Sequence, residues 1–242
     1  MARFFFKSQD ISGDGIHIRD VAHVRALRLR IGDELTLCDG AGTDFRCRLA
    51  SLGADFALAE IAGQSPSRGE PSVRLSVFLA YAKGERLEYA VQKCVELGAA
   101  EFFLFPSERT VSTPDGRALE KKLARLAAIS ESAAEQSGRG IIPDVSACES
   151  FESAVITAKS SDLPLFFYEN EKNLTLRDAF SENSAPKSVA IVTGAEGGFT
   201  PVEAAIATQH GLRSVSLGAR ILRCDTAPIA AAAAVMYITG NM

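Results

Sequence analysis

The chain has 242 residues, 47% of them hydrophobic and 23% charged, with a formal net charge of −4. This is the balance of an ordinary soluble globular protein of one large or two modest domains. An acidic chain does not coat nucleic acid through bulk charge, although a local basic patch can still bind it.

The longest apolar run, Ala227 to Ile238, contains Pro228 and falls short of the ~20 residues that span a bilayer. No charged leader followed by an apolar core opens the chain, so neither a signal peptide nor a membrane partner is expected. The five cysteines form no CxxC pair, and the three histidines lie far from most of them. The expectation is a cytoplasmic protein with no metal site, its cysteines serving as small apolar fillers.

Up to about residue 72 the chain reads as short strands between Gly/Asp turns. Arg3 to Phe6, Glu34 to Leu37 and Asp44 to Leu49 are strand-like, and Asp39-Gly40 with Gly42 marks a hairpin turn. Strands so short and closely spaced predict a small β-barrel. Within it, His17 to Arg30 carries Arg19, Arg25, Arg28 and Arg30 against the single acid Asp20. A solvated helix face explains that run as well as a phosphate-gripping surface does. On the second reading these four arginines are candidate phosphate contacts. Ser65 to Pro71, with two prolines, a glycine and no apolar residue, reads as a linker between domains 1–70 and 71–242.

Beyond it strands and helices alternate. Val73 to Ala82, Phe102 to Phe105, Leu163 to Tyr168, Val189 to Thr193 and Ser214 to Leu217 are strand-like. Glu85 to Leu97 is an amphipathic helix with Leu87, Val91, Cys94 and Val95 on one stripe, and Leu119 to Gln136 is a second helix. Continuous apolar strands separated by helices predict a mainly parallel α/β sheet covered on both faces. Thr200-Pro201-Val202-Glu203 is a capping box with proline at the first helical position, opening a helix that ends near His210. Thr226 is expected to cap the alanine-rich helix through Ala234.

Two loops stand out. Gly194-Ala195-Glu196-Gly197-Gly198 follows a strand and precedes a helix, where open α/β sheets bind ligands. It lacks the lysine of a Walker loop and the dinucleotide glycine pattern. Glu196 would repel a phosphate unless a cation intervened. Leu217 to Pro228 sets Arg220 and Arg223 beside apolar residues and a helix start. A connector with its arginines in water explains this loop; an apolar slot flanked by charge also suits an adenosyl ligand.

These loops, with Gln92 to Gly98, Pro106-Ser107-Glu108-Arg109 and Ala134 to Arg139, resemble the bacterial 16S ribosomal RNA uracil-N3 methyltransferases of the SPOUT class. The likeness runs through the whole chain. It implies a C-terminal α/β domain with a trefoil knot, a fold feature almost absent elsewhere, and a small N-terminal PUA-like barrel that binds RNA. The candidate RNA contacts it implies are Arg3, Arg19, Arg25, Arg28, Arg30 and Arg109. It further implies S-adenosylmethionine as methyl donor, 16S RNA of the small ribosomal subunit as partner, and a homodimer.

Carried over, the donor site draws on Thr193, Gly194, Glu196, Gly197, Gly198, Leu217, Gly218, Ile221, Leu222 and Arg223. Arg139 and Arg223 are candidates to stabilise negative charge on the uracil, with Glu135 or Glu196 as proton acceptor. No histidine lies in these motifs, which argues against a histidine base. The family pattern has proline at Ala195, whose loss is expected to loosen the loop, and glutamate at Asp225, which is one methylene shorter. Three alternatives stay open: methylation of a ribose 2′-hydroxyl or another base, a non-catalytic RNA-binding assembly protein, and a phosphate-ligand enzyme. The last is disfavoured by the missing lysine and by Glu196.

Overall fold

The computed structural model describes residues 2–13, 15–182 and 185–242. Its contacts divide the chain into two compact units. One comprises residues 1–70 with 134–142, and the other residues 71–133 with 143–242.

The first unit is built on β1 (Arg3–Phe5), β2 (Ile11–Ser12), β3 (Gly15–Ile18), β4 (Glu34–Cys38), β5 (Thr43–Leu52) and β6 (Ala57–Pro66), with α1 (Val21–Ala26) between β3 and β4. The strands form one mixed sheet in the order β1-β4-β5-β6-β3-β2. Only the β1–β4 pair is parallel. Side chains alternate across a strand, and here the alternation builds the core. Ile16 and Ile18, Leu35 and Leu37, Cys47 and Leu49, and Ala57 and Ala59 all point inward, joined by Phe4, Phe6 and Val24. The hairpin turn is made as expected, with Gly40 and Gly42 at positive φ.

The expected linker is different. Ser65 and Pro66 complete β6, paired with Asp44 and Thr43. Ser67 donates to Asp44 at 2.5 Å, and Glu70 binds Arg139. Polar composition there reflects a strand end and a hydrogen-bonded anchor, not free chain.

The second unit contains β7 (Arg74–Ala80), α2 (Arg86–Glu96), β8 (Glu101–Phe105), β9 (Asp144–Ala147), α4 (Phe151–Ala158), β10 (Leu163–Phe167), α5 (Leu176–Glu182), β11 (Ser188–Thr193), α6 (Pro201–Gln209), β12 (Arg213–Val215) and α7 (Thr226–Ile238). The long helix α3 (Gly116–Ser137) begins here, and its last turn belongs to the first unit. The sheet order is β12-β10-β11-β7-β8-β9, and every pairing is parallel.

The predicted stripe of α2 is buried, Leu87 at 3% exposure and Val91, Cys94 and Val95 at 0%. On the sheet, Phe78, Phe105, Phe166 and Phe199 pack with Phe151, Ala190 and Val192 in one core. Helix α6 starts on the predicted capping box, Thr200 accepting from Glu203 N and Glu203 from Thr200 N. For α7 the expectation fails by one residue: Asp225 is the N-cap, with no side-chain cap bond, and Thr226 is already helical. Among the described residues no helix is long and apolar enough to cross a membrane.

Candidate ligand pocket and its clamp

Strands β10, β11 and β12 lie side by side and parallel, so their carboxyl ends open at one edge of the sheet. A cavity of about 490 Å³ forms there, within the usual range for small-molecule sites. It is lined by Phe167 to Glu169 after β10, Thr193 to Gly198 after β11, Val215 to Cys224 from β12 onward, and by Arg86 and Ala227. Every residue expected to bind a donor lines it: Thr193, Gly194, Glu196, Gly197, Gly198, Leu217, Gly218, Ile221, Leu222 and Arg223.

The first glycine loop is held by side chains from three directions. The Glu196 carboxylate accepts from the Lys83 amide at 2.8 Å and from Arg86 Nη1 at 2.6 Å. Burial pushes this carboxyl up, but the Lys83 amide and the Arg86 guanidinium outweigh burial and hold it below the usual range. An anchored, weakly basic carboxylate is a poor proton acceptor. Arg86 supplies the cation that offsets the Glu196 charge, so repulsion by Glu196 does not weigh against an anionic ligand.

Arg109 Nη1 donates to Gly197 O at 2.8 Å and stands 3.8 Å from Glu169 Oε1. Glu169 Oε1 accepts the Phe199 N–H at 3.1 Å. Gly198 has φ of 65°, and a Cβ there would collide with the Glu169 carboxylate. Glu169 also lines the cavity. It fell outside the recognised motifs, and only the acid two residues after a strand end marks it in sequence. Arg109, expected on RNA, here braces the loop.

Behind this clamp, Glu203 is 4% exposed. Its Oε1 accepts from Ser107 Oγ at 2.8 Å and Glu108 N at 2.9 Å, and its Oε2 from Thr200 N at 2.9 Å. The capping glutamate thereby ties the loop after β8 to the start of α6. Ala195 is buried, and its carbonyl accepts from Gly198 N at 3.0 Å, which closes the turn where the family pattern has proline. Asp225 Oδ1 accepts from the neighbouring Thr226 hydroxyl at 3.2 Å. Burial pushes the Cys224 thiol up, so it is not an activated nucleophile.

The other expected site residues lie in the first unit, or sit differently. Arg139 is 3% exposed and ion-paired with Glu70 at 2.6 Å, while Glu70 also accepts from the Gly140 and Ile141 amides. Glu135 Oε1 stands 3.7 Å from His23 Nδ1. Arg3 binds Asp44 at 2.5 Å. Arg19 binds Asp10 at 2.5 Å and is otherwise exposed. Arg25, Arg28 and Arg30 are exposed, with Arg25 donating to Gly53 O at 3.0 Å. Arg223 is exposed at the cavity, and no ion pair is made by its guanidinium among the described residues.

A parallel α/β unit with a cavity between loops at adjacent strand ends places the chain in a broad class of small-molecule-binding α/β proteins. Within that class the chain belongs to the RNA methyltransferases: the family model described as an RNA methyltransferase domain matches residues 69–236, and an RNA methyltransferase PUA domain matches residues 19–62. The Bacillus subtilis ribosomal RNA small subunit methyltransferase E is 32% identical over 234 residues, 95% of this chain and 90% of that protein. The Mycobacterium bovis protein of the same name is 33% identical over 240 residues, 96% of this chain and 87% of its own. The crystal structure of a Neisseria gonorrhoeae ribosomal RNA small subunit methyltransferase E bound to S-adenosyl methionine superposes with a TM-score of 0.85. It is 32% identical and covers 98% of both chains.

Proposed function

We propose that this chain is an S-adenosylmethionine-dependent methyltransferase acting on N3 of a uridine in the 16S RNA of the small ribosomal subunit, in the cytoplasm. The observation that carries the reading is the cavity at the ends of β10, β11 and β12, in a chain matched over 98% of its length by a donor-bound relative. The residues suit that donor. Leu217, Ile221 and Leu222 offer apolar contact to an adenine ring, and the glycines let backbone approach closely. Glu169 offers a carboxylate to a cationic ligand, and Arg223 offers a cation to an anionic group. When bound, the donor supplies a methyl group activated by a positively charged sulfur.

The chain's own task is then positioning and charge. Arg223, exposed at the cavity, is our candidate to stabilise the uracil anion formed as the N3 proton passes to solvent water. Glu196 and Arg139 are read as structural, because each is already committed to a partner. Since N3 lies on the pairing edge, the target uridine must be unpaired or flipped out.

In this reading residues 1–70 grip RNA through Arg25, Arg28 and Arg30, and residues 71–242 carry the donor site in a knotted C-terminal segment. Support for the threading is that α7 packs on β7, β11 and α2 while its first turn lines the cavity. We also propose a homodimer through α2 and α7, whose Tyr89, Tyr237 and Ile238 are exposed.

The test is to incubate the protein with methyl-labelled S-adenosylmethionine and unmodified small subunits, then identify the nucleoside. Label in 3-methyluridine is expected. Label in a 2′-O-methyl nucleoside would replace this reading with the ribose alternative. RNA binding without label would leave a non-catalytic assembly protein.

A further inference from the structure

We infer that the first unit carries a stacking platform for one unpaired nucleobase, made by His17 and Phe56. This rests on the RNA reading above and adds to it a recognition mode for single-stranded RNA.

On β3, Ile16 and Ile18 point into the core, so His17 between them faces outward. Its partner across the sheet is Leu58 on β6. Phe56 stands just before that strand with 46% of its surface exposed. The two rings lie 4.6 Å apart between centroids with planes inclined by 31°, a tilted aromatic contact. The turn that presents Phe56 is fixed at both ends. Gly53 N donates to Phe56 O at 3.0 Å, and Arg25 Nη2 donates to Gly53 O at 3.0 Å. An exposed phenylalanine alone means little. Here the ring lies against a second aromatic and is carried on a braced turn, with an arginine of the basic run beside it.

Those features match how unpaired bases are held. A base stacks on an aromatic face whatever its identity, while a nearby guanidinium serves the phosphate backbone. Duplex RNA offers no such free face. Asp55 lies in the same turn, and Glu60 lies across from Gly15 on the neighbouring strand. These acids offset part of the Arg25 charge, so recognition of the base falls to the rings.

The chain contains no tryptophan, so Phe56→Trp installs a single fluorescent reporter at the platform. The probes are a 12-nucleotide single-stranded RNA and a duplex of the same sequence, titrated into the full chain. Saturable quenching by the single strand and none by the duplex is expected. Phe56→Leu and His17→Ala should each weaken single-strand binding about 5- to 150-fold, the range of one base–aromatic stack, with Phe56→Tyr restoring it. Melting temperature and S-adenosylmethionine affinity should hold, which separates a lost contact from a lost fold. If wild-type protein binds the single strand and neither quenching nor weakening is seen, the platform is refuted while the RNA reading stands. If wild-type protein binds neither RNA, the platform falls, and the methyltransferase reading is decided separately by methyl transfer to small subunits.

Discussion

Gly198 is the position where backbone, side chain and ligand cavity constrain one another, so Gly198→Ala is the sharpest probe of the pocket. With φ of 65°, any L side chain there costs about 1–2 kcal/mol from crowding against its own carbonyl. The added Cβ would also stand 2.5 Å from Glu169 Cδ. That carboxylate is flexible and can swing away, but doing so breaks its bond from Phe199 N. A hydrogen bond to a charged group contributes about 1.5 kcal/mol at the low end, appropriate for a partly exposed acid. Together these disfavour the present loop conformation by about 3 kcal/mol.

If this is the conformation that takes the donor, affinity falls by the fraction of molecules still holding it, about 100-fold. Calorimetric titration of S-adenosylmethionine reads this directly. The decisive comparison is made in a Glu169→Ala background. There the collision is gone and only the backbone strain remains, so Gly198→Ala should cost about 5- to 30-fold. Equal losses in both backgrounds would show that Glu169 is not what Gly198 accommodates. Donor affinity unchanged in the single variant would refute the claim that this loop conformation binds the ligand.

Arg109→Ala removes the brace on Gly197 O and should raise the donor KM several-fold while leaving the salt dependence of RNA binding unchanged. Replacing Arg25, Arg28 and Arg30 together should do the reverse, flattening the slope of affinity against salt; identical profiles for the two variants would undo the division of roles. Glu203→Ala strips the acceptor from Ser107 Oγ and from the Glu108 and Thr200 amides. It should lower stability by about 2–4 kcal/mol, read by urea unfolding, and a midpoint within error of wild type would refute it. In the first unit, burial pushes the Glu70 carboxyl up, but Arg139 and the Gly140 and Ile141 amides hold it lower than in the unfolded chain. Its contribution is therefore full above the ordinary glutamate pKa of about 4.3 and is lost as pH falls through the depressed folded value. Glu70→Gln should lower stability at pH 7 by about 3 kcal/mol and blunt the acid-induced loss below about pH 4; an acid limb as steep as wild type would refute the assignment.

Much of the fold could be read from the chain because local rules and tertiary packing agree there. The stripe Leu87, Val91, Cys94 and Val95 repeats at helical spacing and is buried on α2. The run Val189 to Thr193 is apolar throughout because β11 lies between β10 and β7. Expectations failed where composition was used without partners. Ser65 to Pro71 looks like free linker, yet Pro66 sits at the end of β6 and Glu70 is fastened to a guanidinium far along the chain. Thr226 looks like a cap because threonine favours that position, while the turn from Arg223 starts the helix one residue earlier.

The pocket divides along the same line. Its glycine loops sit at strand ends, where the sequence pattern alone can point to them. What holds them is long-range: Arg109 reaches Gly197, Arg86 reaches Glu196, and Glu169 sits behind Gly198. No periodicity relates these residues, and each pair is a charge or carbonyl meeting its partner only after the parallel sheet has formed. This explains why Arg139 and Arg109, each arginine in a recognisable motif, looked alike as substrate contacts. An arginine in sequence is a free cation; in the fold, Arg139 is spent on Glu70 and Arg109 on the loop. Arg223 keeps its guanidinium exposed at the cavity. Availability supports its role: of the two arginines proposed to face a developing uracil anion, Arg139 is paired with Glu70, while Arg223 makes no ion pair among the described residues.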